Sequence, residues 1–309
     1  MKSWKIGALA GLIAGIVAGI AMVFIANIAF KVGITFWNLE PPPTTSILNI
    51  TIIEIANNII WGIFLGIIYS RIQDLIPGKG VIKGLIFGLA YYAILSLRNA
   101  TFMRAYWYIP LAIGALLHLH PIIYGLVIGI LYKAPTQKVK ISKAKITSGI
   151  IPGVIAGSIF AITVPIYYWL NTLLGLMEPT FPNQLADIEL LLFQFGAHIV
   201  VNMFWFGIIG ALYAMSYDRI PGKGLLKGFY FGLIIFLITS FRLGIYWLMY
   251  GSLQWAITWG LYLPFSFIIY GVMLDGIYRM RDLKRAILIT IGLFIMILIQ
   301  PFIAGIVFG

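Results

Sequence analysis

The residues of this chain that could bind a cofactor or carry a proton are three histidines, and all of them lie in apolar stretches. His118 and His120 share one predicted helix, and His198 lies on another at a similar predicted depth. Neutral imidazoles ligate haem iron and other transition metals. The pattern therefore favours a b-type haem or a metal held by His198 together with His120 or His118. Because His118 and His120 are separated by about 200° on a helix, we expect only one of them to face His198.

Two arginines could complete such a cofactor site. Arg98 and Arg242 lie near the predicted outer ends of two helices. A guanidinium group binds carboxylates through paired hydrogen bonds, and the haem propionates are carboxylates. We therefore include both arginines among the expected cofactor-binding residues, and His120 and His198 are the expected metal ligands.

A second polar group accompanies the histidines, formed by Glu54, Asn57, Asn58 and Asn202. An ionisable residue inside a membrane span is costly unless it is paired or used. Three interpretations are open: a haem or metal site, a path for a small anion or for protons, and interhelical hydrogen bonds with no further role.

These side chains must be positioned by apolar elements, because the 309-residue chain is 61% hydrophobic and only 10% charged. Such a composition excludes a disordered chain and an ordinary soluble enzyme. The chain has no cysteine, which excludes disulfides and thiolate ligands. Apolar runs predict an all-α, polytopic membrane protein with nine transmembrane helices, at about 6–30, 48–70, 81–103, 106–132, 147–175, 188–216, 225–248, 254–277 and 284–307.

The basic residues predict the orientation of these helices. Most of the 21 Lys and Arg residues fall in segments on one side of the predicted spans. Cytoplasmic segments carry this excess in multi-pass proteins, which accounts for the net charge of +12 without a nucleic-acid partner. We expect a plasma-membrane protein with its N-terminus in the cytoplasm and its C-terminus outside.

The chain also contains an internal duplication. Ile76-Pro-Gly-Lys-Gly80 recurs as Ile220-Pro-Gly-Lys-Gly224, and Asn58, Trp61 and Tyr69 recur at the same spacing as Asn202, Trp205 and Tyr213. Each copy has four predicted helices, an even number, so the two repeats are expected to be parallel. The predicted organisation is a first repeat at 1–135, a basic cytoplasmic linker at 136–146, a second repeat at 147–281 and a ninth helix at 282–309.

Two sequons predict possible sites of modification. Asn49-Ile50-Thr51 and Asn99-Ala100-Thr101 match the acceptor pattern for N-glycosylation. Both fall at predicted outer helix ends, so Asn49 and Asn99 are glycosylation candidates.

The first unit resembles a known group of proteins. A glycine-rich first helix, the run Pro41-Pro42-Pro43 and the segment Leu116-Leu117-His118-Leu119-His120 are similar to uncharacterised four-helix bacterial inner-membrane proteins of the YagU type. The resemblance covers 5–132 and, less well, 147–279, where Pro264 and Ser266 stand near the positions of the histidines. It implies a fold and no mechanism. The composition and layout are also similar to hydrophobic subunits of archaeal respiratory b-type cytochromes.

These observations lead to a functional expectation. The chain is expected to be a membrane subunit of an electron-transfer complex that holds a b-type haem or anchors a haem- or quinone-bearing partner. Since no large loop is predicted, the extracytoplasmic redox domain would belong to a separate partner subunit. The alternatives are a transporter or channel for a small anion or proton, and a structural scaffold. No soluble catalytic motif is present, and whether the chain is an enzyme stays open.

Overall fold

A computed structural model describes residues 3–31, 47–97, 115, 118–135, 142–174, 188–241, 248 and 253–308. Within this part of the chain the structure is helical, with nine α-helices and no strand, as the apolar runs predict. The helices are α1 (Ser3–Lys31), α2 (Ile47–Ile72), α3 (Gly80–Tyr91), α4 (His120–Tyr132), α5 (Lys143–Leu173), α6 (Ile188–Ser216), α7 (Leu225–Thr239), α8 (Leu253–Arg279) and α9 (Leu283–Phe308).

The described helices belong to two compact units. Unit 1 contains α1–α4, and unit 2 contains α5–α9. In unit 1, α1 packs along α2 and α3 packs along α4. In unit 2, α5 packs along α6 and α7 packs along α8. The same helix pairs therefore form in both units.

Glycines bring the first pair of helices in each unit into backbone contact. A Cβ atom on Gly62 of α2 would overlap the carbonyl oxygen of Gly11 on α1, and one on Gly66 would overlap that of Gly7. In unit 2 a Cβ atom on Gly210 would overlap the carbonyl oxygen of Gly149. Small residues spaced by four allow this close approach, and any larger residue would separate the helices.

Glycines also bring the second pair of helices in each unit into backbone contact. In unit 1, Gly84 of α3 meets Gly125 of α4 through their backbones. In unit 2, Gly228 of α7 meets Gly271 of α8. Because the glycines of both pairs occur in both units, the internal duplication of the sequence extends to the helix contacts.

Five segments among the described residues are long and apolar enough to cross a membrane. They are Ser3–Ile25, Thr51–Leu75, Lys143–Thr163, Ile199–Arg219 and Leu283–Gln300. Large apolar side chains on these segments are exposed, including Phe24, with 66% of its surface accessible, and Ile151, with 68%. Extended apolar patches of this kind are unfavourable in water and mark a surface that is covered in its natural setting.

The start of the fourth helix differs from the prediction. The apolar run predicted one helix over 106–132, but α4 begins at His120, and His118 and Leu119 precede it in a turn. Pro121 lies in the first turn of α4, where its missing N–H costs nothing. The single-helix prediction is therefore wrong at His118, because Pro121 begins a helix instead of lying inside one. In unit 2, by contrast, α8 runs unbroken through Pro264.

Helix contact through Gly62 yields a first prediction. Gly62→Ala places a methyl group against the backbone of Gly11, so we expect the free energy of unfolding to fall by about 1–3 kcal/mol. The control is Gly292→Ala on α9, where an added Cβ would meet no atom within 4 Å. Denaturant unfolding in detergent micelles measures both variants, and equal stability of the two would contradict the packing described here.

Candidate functional site

Three of the predicted polar residues lie close together on α2. The Asn58 side chain is buried, and its Nδ2 atom donates a hydrogen bond to the Glu54 carbonyl oxygen at 2.7 Å. The same nitrogen lies 3.4 Å from Glu54 Oε2. Asn58 therefore connects the backbone of α2 to the Glu54 carboxylate, and Asn57 lies beside it on the same helix.

Tyr124 connects this group to α4. Its hydroxyl group donates toward Asn58, with its oxygen 2.8 Å from Asn58 Oδ1 and 2.9 Å from the Asn58 carbonyl oxygen. Both side chains are fully buried. Gly15 of α1 closes the other side, because a Cβ atom there would lie 2.5 Å from the Asn58 carbonyl oxygen. Asn58 is thus enclosed by three helices and bonded across two of them.

The two histidines of unit 1 lie next to Tyr124. His120 is 3% exposed, and its ring meets the Tyr124 ring edge-on, with centroids 6.1 Å apart. The centroid of the His118 ring is 6.3 Å from that of His120. The expected separation of 200° is wrong, because His118 lies before the helix and helical geometry does not apply to it. We call Glu54, Asn58, Tyr124, His120 and His118 the unit 1 polar cluster.

The remaining predicted site residues are only partly covered by the structure. Arg98, Asn99 and Arg242 lie outside the described residues. Asn49 lies in α2 and His198 in α6, but the surroundings of both side chains lie outside the described part. Asn202, on α6, is fully buried in unit 2. The expected association of His198 with His118 or His120 therefore stays a prediction.

Unit 2 fills the equivalent place with aromatic rings. Tyr270 corresponds to Tyr124, but its hydroxyl group donates to the Phe206 carbonyl oxygen at 3.0 Å. Phe206 stands where unit 1 has Gly62, and its ring centroid lies 4.2 Å from that of Tyr270 and 4.6 Å from that of Phe160. Ser266 replaces His120 and lies 3.4 Å from the Thr163 hydroxyl oxygen. The same scaffold thus carries an imidazole in unit 1 where unit 2 has a serine, and the side chain of His198, at the position equivalent to Glu54, lies outside the described part.

A cofactor site needs side chains that can ligate a metal ion or haem iron. The described residues contain no group of three or more His, Cys, Asp or Glu residues that could hold a metal ion. His118 and His120 offer imidazoles, as haem iron requires. Three residues are expected to supply the second iron ligand, His198, and the contacts to the haem propionates, Arg98 and Arg242. Their side chains lie outside the described part of the chain. The predicted haem site therefore stays a prediction.

Two lysines have a structural role that the overall distribution of basic residues did not predict. Lys83 of α3 is fully buried, and its Nζ atom donates to the Gln73 carbonyl oxygen at 3.0 Å. Lys227 of α7 donates to the Tyr217 carbonyl oxygen at 2.6 Å and lies 4.1 Å above the Tyr217 ring. Each lysine satisfies a carbonyl group just beyond the end of α2 or α6. The recurrence of both lysines after the Pro-Gly-Lys-Gly segment is the sequence feature that could have revealed them.

A buried carboxylate in unit 2 was also missed. Asp275 is fully buried, accepts a hydrogen bond from Tyr213 and pairs with Arg279, whose terminal nitrogen lies 2.7 Å away. Arg279 also pairs with Asp282 at 2.6 Å. The hydrogen bond to Asp275 is the main reason why the pKa of Arg279, beyond the predicted span, is raised above its ordinary value. Because both charges are compensated, the network ties α6, α8 and the start of α9 together and offers no free titratable group.

Comparison with protein-family models, with curated proteins and with solved structures finds no match. The resemblances described from the sequence therefore stay expectations, and the function must be argued from the unit 1 polar cluster itself.

The Asp275 network yields a second prediction. Asp275→Asn removes the buried one of the two carboxylates that pair with Arg279 and the charged acceptor of the Tyr213 hydrogen bond, so the free energy of unfolding should fall by about 1.5–3 kcal/mol. Asp218→Asn is the matched control, because the Asp218 side chain is 75% exposed in its pair with Lys145 and exposed pairs contribute about 1 kcal/mol or less. Chemical unfolding in micelles compares the two, and a smaller loss for Asp275→Asn than for Asp218→Asn would refute the structural role.

Proposed function

We propose that the chain is a multi-pass membrane protein made of two four-helix repeats with the same orientation, followed by α9. Five apolar segments of sufficient length support the membrane assignment. The recurrence of the same glycine contacts in α1–α4 and α5–α8 supports the repeat. The distribution of Lys and Arg supports an N-terminus in the cytoplasm.

Within this framework we propose that unit 1 transfers protons across the membrane. The observation that carries the proposal is the unit 1 polar cluster, in which Asn58 joins Glu54 to Tyr124 and His120 packs against that tyrosine. Glu54 and His120 are the two groups that exchange protons. Asn58 and Tyr124 keep their protons and hold the cluster in place.

The start of α4 supports the same proposal. Non-helical backbone within a membrane is tolerated only where it is buried in protein or lines a polar cavity. Helices that begin inside the membrane form ion and substrate sites in many transporters. Here the break comes at His118 and Leu119, directly beside the cluster. Polar side chains and an interrupted helix thus coincide in one place.

Unit 2 argues against a purely structural role for the cluster. A hydrogen-bonded carboxylate and imidazole cost free energy to bury among apolar helices. In unit 2, Phe160, Phe206 and Tyr270 pack together, and Ser266 stands at the position of His120. Since the scaffold accepts a serine at this position, the imidazole of unit 1 is better explained by use than by packing.

A second candidate function is the electron-transfer subunit expected from the sequence. The observation that favours it is the buried imidazole of His120 with His118 beside it. A b-type haem would supply one-electron redox chemistry, and His120 is the described residue best placed to ligate its iron. The absorption spectrum of the purified protein distinguishes the two functions. A Soret band that shifts on reduction and disappears in His120→Ala would favour haem, and a colourless protein would favour proton transfer.

Proton transfer is tested in proteoliposomes that contain a pH-sensitive dye. With an imposed pH gradient, we expect Glu54→Gln and His120→Ala to reduce the proton flux at least tenfold, because each removes a group that exchanges protons. Ser266→Ala, at the position equivalent to His120, and Tyr270→Phe, at the position equivalent to Tyr124, are the controls in unit 2. Monodisperse elution in detergent shows that each variant is folded.

Two results would contradict the proposal. One is a wild-type flux no greater than that of empty liposomes. The other is a flux that falls equally in the unit 2 controls and in the unit 1 variants, because the unit 1 polar cluster would then have no special part in it.

A further inference from the structure

Asn57 lies beside the unit 1 polar cluster on α2 and takes no part in its hydrogen bonds. It is 1% exposed, and neither its Nδ2 nor its Oδ1 atom has a hydrogen-bond partner within the protein. A buried amide without partners costs about 1–3 kcal/mol. Such a group calls for an explanation, which can be a strained site, a bound water or a ligand.

The second repeat shows that this position does not require a polar residue. Val201 of α6 stands at the position equivalent to Asn57, next to Asn202, the counterpart of Asn58. An apolar side chain is therefore compatible with the same helix in the same fold. Unit 1 carries an amide where unit 2 has an apolar side chain, just as it carries His120 where unit 2 has Ser266.

The helical register places Asn57 beside Glu54 and on the side of α3. Residues three apart on a helix are neighbours on its surface, so Asn57 follows Glu54 at the next turn. Trp61, one turn further, donates from Nε1 to the Tyr91 hydroxyl oxygen of α3 at 2.7 Å. Just beyond Tyr91, residues Tyr92–Leu97 form a π-helix, a geometry found frequently at functional sites. An unpartnered amide thus lies one turn from the proposed proton-exchanging carboxylate, on a helix that bonds to α3 just before its π-helical segment.

We infer that Asn57 binds a water molecule that exchanges protons with Glu54. An amide offers two N–H donors and one acceptor, and water can satisfy both kinds of group. An anion would leave the oxygen unsatisfied, and a metal cation would leave the N–H groups unsatisfied. The inference rests on the proposed proton transfer and extends it from the unit 1 polar cluster toward α3.

The proton step balances without any other reactant. The O–H bond of the protonated Glu54 carboxyl group breaks as the proton bonds to the water oxygen, which forms hydronium. The hydronium ion then releases a different proton along the path. That release restores the water, and the protonated carboxyl group is restored when the Glu54 carboxylate takes up the next proton. Asn57 itself neither gains nor loses a proton.

The test replaces Asn57 by the residue that unit 2 uses. We expect Asn57→Val to reduce proton flux in proteoliposomes about tenfold or more while leaving the protein as stable as the wild type or more so, because it also removes an unsatisfied amide. The reverse substitution in unit 2, Val201→Asn, is the control and should leave the flux unchanged.

A spectroscopic measurement detects the water directly. In solid-state NMR of asparagine-labelled protein in lipid, magnetisation from water should reach one buried side-chain amide signal, and Asn57→Val should remove that signal. If the Asn57 signal receives no magnetisation from water, or if Asn57→Val leaves the flux intact while Glu54→Gln abolishes it, the inference is wrong and the proposed function stands. If Glu54→Gln also leaves the flux intact, the proposed function itself is wrong.

Discussion

Polar atoms enclosed by apolar helices need hydrogen-bond partners, and this constraint governs unit 1. Asn58 is enclosed by α1, α2 and α4, and no solvent reaches it. The hydroxyl group of Tyr124 serves both oxygens of Asn58, and the amide nitrogen of Asn58 serves Glu54. Without this bond between α2 and α4, the buried side-chain oxygen of Asn58 would lose this partner at a cost of about 1–3 kcal/mol.

The glycine contacts make this arrangement possible. Gly15 of α1 lets one backbone approach the Asn58 carbonyl oxygen, and Gly62 keeps the neighbouring turn of α2 free of side chains. In unit 2 the position of Gly62 is occupied by Phe206, which draws the Tyr270 hydroxyl group to its own carbonyl oxygen. A change from glycine to phenylalanine therefore accompanies the difference between a polar and an aromatic interior. Duplication preserved the helix pairs and allowed their contents to diverge.

The amino-acid sequence predicts the elements better than it predicts their contacts. Apolar runs predicted nine helices and no strands, which the described residues confirm. The start of α4 was missed because Pro121 is equally compatible with the first turn of a helix and with a kink inside one. The choice between a helix start and a kink depends on how the neighbouring helices pack, and a single sequence does not specify that packing.

The residue types of the candidate site were predictable from the sequence, but the hydrogen bonds and contacts between these residues were not. Glu54, Asn58 and His120 stand out because ionisable and amide groups are rare in apolar helices. Tyr124 does not stand out, since tyrosine is common in such proteins and its role depends on the register of α4 against α2. Lys83 and Asp275 were missed for the same reason, because their partners lie on other elements. The side chains of His198, Arg98 and Arg242 lie outside the described residues, so the predicted haem site stays a prediction.

The hydrogen bond between Tyr124 and Asn58 is the central claim of this account, and a double-mutant cycle measures it most directly. Stability would be determined for Tyr124→Phe, Asn58→Leu and the double variant in lipid or detergent. The account predicts that the two substitutions are coupled by about 0.5–3 kcal/mol, because the second change costs less once the bond is gone. Additive effects, with a coupling energy of zero, would contradict it.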